Sequence, residues 1–112
     1  MRVKSLIVGL GVLLPACGDD GITGFWYGEL PDTDVALTVE EREETVMGSV
    51  EIDGGQMQSE ARGSVEKEWV ELTFPQLEGG VHFEAGLQGE DQMTGTWTTR
   101  GVGEKLTMKR VR

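Results

Sequence analysis

Beyond residue 22, apolar side chains recur at every second position, and no stretch keeps helical spacing for three turns. Val35, Leu37 and Val39 alternate with Ala36 and Thr38, and Val46, Gly48, Val50 and Ile52 with Met47, Ser49 and Glu51. The same pattern returns in Val70, Leu72 and Phe74, and again in Val81, Phe83, Ala85 and Leu87. A period of two, with one face apolar and the other wet, predicts antiparallel strands. Turn-forming stretches at 30–34, 40–44, 53–55, 66–67, 77–80, 89–91 and 100–103 separate these runs. They divide the chain into eight predicted strands near 24–30, 34–40, 45–53, 56–65, 68–74, 80–88, 92–99 and 104–111. A helical turn competes over 40–46, and 56–60 is largely polar.

Connections this short make consecutive strands adjacent and antiparallel, which is a meander. Left open, a meander exposes two raw edges and half of its apolar surface. Closing removes both faults. The predicted fold of residues 22–112 is therefore all-β, a small eight-stranded antiparallel up-and-down barrel. Gly48, Gly63 and Gly95 each fall mid-strand on the predicted inner face, where glycine permits sharp bending.

The first 16 residues read differently. Arg2 and Lys4 form a basic head, and residues 6–14 form an uncharged apolar run too short to span a bilayer. This is the pattern of a secretory signal. Leu14-Pro15-Ala16-Cys17 then resembles the lipobox of bacterial lipoproteins, with Leu at −3, a small residue at −1 and Cys at +1. The resemblance implies removal of residues 1–16, a diacylglyceryl group on the Cys17 sulfur, and acylation of the new amine. Two or more acyl chains anchor a protein stably. Cys17 is the single cysteine of the chain, so no internal disulfide can form. Residues 17–21 make a short Gly/Asp linker, and four extended residues reach only about 13–14 Å. By resemblance to enterobacterial sorting, Gly18 rather than Asp after the cysteine points to the outer membrane. The expected location is the bacterial cell envelope, on its periplasmic or surface face.

Charge narrows the partners. The 112 residues carry 10 Lys and Arg against 20 Asp and Glu, and both Arg2 and Lys4 leave with the signal. A surface this acidic repels phosphate backbones, which argues against nucleic acid, and suits cations or a basic protein.

Gly24-Phe25-Trp26 at the head of the first strand resembles the Gly-x-Trp of lipocalins and their relatives. In that family the Trp plugs the closed end of the barrel, and a basic residue from the last strand lies across it. The resemblance assigns these barrel-closing roles to Trp26 and Arg110, with Lys109 and Arg112 less well placed. It also implies a lipocalin-like binding module. This chain is much shorter than a typical lipocalin, and its ligand-binding residues are left open.

Candidate chemistry is sparse. His82 is the sole histidine and is expected to point outward beside Glu84. With Cys17 committed to lipid, no Ser-His-Asp, Cys-His or zinc constellation is expected, nor any cofactor. The expectation is therefore no enzyme, no catalytic residue and no metal ligand. Glu40, Glu41, Glu43 and Glu44 read as a solvated hairpin tip, and Asp32-Thr33-Asp34 as a turn rather than a calcium loop. An aromatic cluster of Phe25, Tyr27 and Trp69 on the outer face would mark a protein-binding patch. An eight-stranded barrel can be filled by its own side chains or hold one small ligand, and both remain open. Two functions follow: a membrane-tethered carrier of a small apolar molecule, or an interaction or inhibitor protein acting on a basic envelope partner. Small lipidated barrels that inhibit lysozymes or proteases offer an analogy for the second.

Overall fold

The computed structural model describes residues 21–112. The signal segment 1–16, the lipidation residue Cys17 and the linker as far as Asp20 lie outside the described residues. The remainder forms eight strands: β1 Gly24–Leu30, β2 Thr33–Arg42, β3 Thr45–Ile52, β4 Met57–Glu66, β5 Trp69–Phe74, β6 Val81–Leu87, β7 Gln92–Thr99 and β8 Val102–Val111. Each pairs antiparallel with the next, and β8 returns to pair with β1, so the sheet is a closed up-and-down barrel.

Two boundaries differ from the sequence reading by two residues, and the others by one at most. β2 runs on to Arg42, leaving only Glu43 and Glu44 to turn, both at positive φ. The competing helical turn is displaced because Glu40, Glu41 and Arg42 find β3 partners in Met47, Val46 and Thr45. β8 likewise begins at Val102, since Arg100 and Gly101 alone supply the two positive-φ residues of a tight hairpin.

Alternation sorts the side chains as the pleat demands. Trp26, Leu37, Val50, Val70, Phe83, Met93, Leu106 and Met108 point inward and are at most 1 % accessible. Polar neighbours between them face solvent. Among the described residues, Ser59 is the buried polar exception on the inner side. It is satisfied by Gln76, whose backbone N–H donates to Ser59 Oγ at 3.0 Å.

Gly48, Gly63 and Gly95 share one device. A Cβ at any of them would collide with the carbonyl oxygen of a neighbouring-strand residue: Thr38, Glu71 and Glu84 respectively. The strands cross this closely because a narrow barrel must coil its sheet tightly, and only a residue without Cβ permits the approach.

The two ends of the barrel differ. The hairpin tips at 43–44, 67–68 and 88–91 lie at the end where the chain enters. The connections at 31–32, 53–56, 75–80 and 100–101 lie at the other.

Candidate functional site

The entry end is built around Trp26 and Arg110. Register makes them direct cross-strand partners between β1 and β8. The Arg110 guanidinium carbon lies 4.5 Å from the centroid of the Trp26 ring. Trp26 is fully buried, and its indole N–H donates to the Ile22 carbonyl at 2.9 Å. Arg110 also donates to the carbonyls of Gly21, Thr23 and Glu90, and its Nε lies 3.4 Å from the Asp91 carboxylate. Its side chain is only 10 % exposed. One cation thus ties the incoming chain, the 88–91 loop and the Trp plug together.

Gly24 is required at this junction. Its φ is +143°, a conformation that L side chains rarely adopt, and a Cβ there would lie 2.9 Å from Arg110 Nη1. Glu41 completes the closure by accepting from the Ile22 N–H, while its own N–H donates to Thr23 Oγ1. Lys109 lies opposite Tyr27, and Arg112 pairs with Asp91, so neither occupies the Trp26 face.

The opposite end, where a carrier barrel would open, is stoppered. Phe74 and Trp97 stack with centroids 5.1 Å apart, and Phe83 leans on Trp97 at 6.3 Å. Leu77, from the 75–80 loop, is buried with the same core. Side chains lining a ligand-sized hollow would be accessible to water, and the inward residues named above are not.

Among the described residues, shallow grooves lie on the outside of the barrel at two places where strand pairing ends. One, of about 420 Å³, is lined by Tyr27, Gly28, Glu29, Lys105, Thr107 and Lys109. It forms where β1–β8 pairing stops at Gly28 and Met108 while β8 continues to Val102. The Tyr27 hydroxyl in its wall has its pKa raised, first by desolvation and then by Asp34 and Glu29. The other groove, of about 330 Å³, lies where β4–β5 pairing ends, and Gln76 is part of its lining.

On the outer face, Phe25, Tyr27 and Trp69 are all exposed, but they do not form one patch. β1 and β5 are four strands apart in an eight-strand ring, on opposite sides of the barrel. Phe25 instead neighbours Val111 across the closing seam. The acidic hairpin tip is partly engaged: Glu40 pairs with Arg42, and Glu41 serves the chain entry. Asp34 accepts from the Gly54 N–H and from Tyr27, as a turn residue would.

His82 lies outside, its Nε2 3.0 Å from Glu84 Oε2. Glu71 joins them from β5, directly opposite Glu84 in the register. Ligand atoms of the three residues all lie within 4.8 Å of one another. Sequence reading missed Glu71 because it becomes a neighbour only through pairing. Counting outward from the Phe74–Val81 connection would have found it.

Fold and geometry together define a closed eight-stranded antiparallel up-and-down β-barrel with a packed interior. Comparison with protein-family models, with curated proteins and with solved structures gave no match.

Proposed function

We propose that this is a lipid-anchored protein of the bacterial cell envelope whose barrel works through its outer surface, on a basic protein partner. The observation that carries the reading is the packed interior, stoppered at one end by Trp26 and at the other by Phe74, Trp97 and Leu77. A carrier of a small apolar molecule needs a continuous hollow. A barrel filled by its own side chains has only its exterior to offer.

Charge supports the choice of partner. Once residues 1–16 are removed, eight basic residues face 20 acidic ones, a formal −12. A field of that sign steers cationic proteins and repels nucleic acid and anionic lipid. The tether supports an orientation. Gly21 lies at the Trp26–Arg110 end, so a lipid on Cys17, four residues earlier, would hold that end toward the membrane. The connections at 31–32, 53–56, 75–80 and 100–101 would then face away from it.

The test is capture by the immobilised mature protein of proteins extracted from the cell envelope. The reading predicts recovery of basic proteins at about 50 mM salt and their loss at about 0.5 M, where charge interactions are screened within a few ångströms. Recovery of nothing at either salt would remove the proposal.

A further inference from the structure

We propose that Glu71, His82 and Glu84, on the outer face of β5 and β6, form a binding site for a transition-metal dication of the zinc class. The sequence excludes a site built from Cys and His alone, but carboxylates brought in by strand pairing complete a different set. Glu71 and Glu84 are direct cross-strand partners, and His82 is two residues from Glu84, so all three side chains leave the same face of a rigid sheet. His82 Nε2 and Glu84 Oε2 are 3.0 Å apart, and one ligand atom from each of the three residues lies within 4.8 Å of the other two. Metal bonds of about 2.0–2.2 Å in tetrahedral array place ligand atoms roughly 3.4 Å from one another. Small rotations of two exposed glutamate side chains supply the difference.

The electrostatics point the same way. Like charges directly opposite on neighbouring strands destabilise a sheet. Among the described residues, no Lys or Arg forms an ion pair with Glu71 or Glu84. A dication turns that repulsion into attraction. Imidazole with two carboxylates suits zinc-class ions, and three protein ligands leave a position for water. The Trp69 indole N–H donates to Glu71 Oε2 at 3.2 Å, an outer contact that orients the carboxylate.

His82 is the sole histidine, and Cys17 is the sole cysteine, so a metal bound through nitrogen or sulfur has few places to go. The experiment is calorimetric titration of the full mature lipoprotein, in detergent, with zinc sulfate. Emission from the exposed Trp69 is followed in parallel. The expected result is one zinc per chain, with affinity falling about tenfold or more in each of His82→Ala, Glu71→Gln and Glu84→Gln. Glu29→Gln, on β1 at the opposite side of the barrel from β5, should leave it unchanged. Unfolding curves without metal should show all three variants folded, with Glu71→Gln and Glu84→Gln at least as stable as the parent because each relieves the cross-strand repulsion. Absence of saturable binding below about 1 mM would overturn the site, a bound worth only about 4 kcal/mol. So would binding that survives His82→Ala, or that depends on His82 but on neither glutamate.

Discussion

Removing the Arg110 guanidinium should unlatch the entry end of the barrel. In Arg110→Ala the contact with Trp26 is lost, worth about 1–2 kcal/mol at a site this sheltered. The part-buried bond to the Thr23 carbonyl goes with it, at about 1.5–3 kcal/mol for a charged donor. The Gly21 and Glu90 carbonyls and the Asp91 carboxylate are exposed, so water replaces Arg110 there at little cost. The expected loss is about 3 kcal/mol. In equilibrium urea unfolding followed by tryptophan emission, with a slope of about 1–1.5 kcal/mol/M for so small a domain, the midpoint should fall by about 2–3 M. Arg110→Lys keeps the charge but not the planar fork, and should recover no more than about half. A double-mutant cycle with Trp26→Leu should show coupling of about 1 kcal/mol. A loss below about 1 kcal/mol in Arg110→Ala would refute the latch and leave Arg110 as an ordinary surface charge.

Trp26→Ala should cost about 3–5 kcal/mol in the same assay, as expected for a buried large-to-small change, and a cost below about 1 kcal/mol would contradict its burial. Gly95→Ala places a Cβ against the Glu84 carbonyl and the Ala85 Cα, and should destabilise by about 2 kcal/mol or more; an unchanged midpoint would show that the strands do not cross so closely. Cys17→Ser should release the folded protein from the membrane fraction, and continued retention there would refute the lipid tether.

The fold was legible because the governing pattern is local. Alternation in 35–39, 46–52, 70–74 and 81–87 marks strands, and turns of two to a few residues leave little choice of partner. Closure followed from the apolar face alone, without knowledge of any contact. Less legible was whatever depends on register. Arg110 could be paired with Trp26 from a resemblance, but its bonds to the Gly21, Thr23 and Glu90 carbonyls depend on how the chain enters the barrel. Glu71 looks like any outward acid until pairing sets it beside Glu84. The filling of the barrel was only partly legible, because Phe74, Phe83 and Trp97 are bulky enough to fill a core yet can also line a pocket. Their packing across β5, β6 and β7 with Leu77 over that end, and the inaccessibility of the inward side chains, distinguish the two.

A solid barrel that works from its outer surface, as proposed, takes up no small apolar molecule. The measurement that bears on this is titration of the Cys17→Ser protein, which carries no acyl chain and needs no detergent, with a fluorescent fatty-acid analogue. No saturable uptake is expected at micromolar concentrations, nor any change on Ala85→Val, which alters the inner face. One-to-one binding that Ala85→Val abolishes without unfolding the protein would show a ligand cavity and contradict the solid barrel.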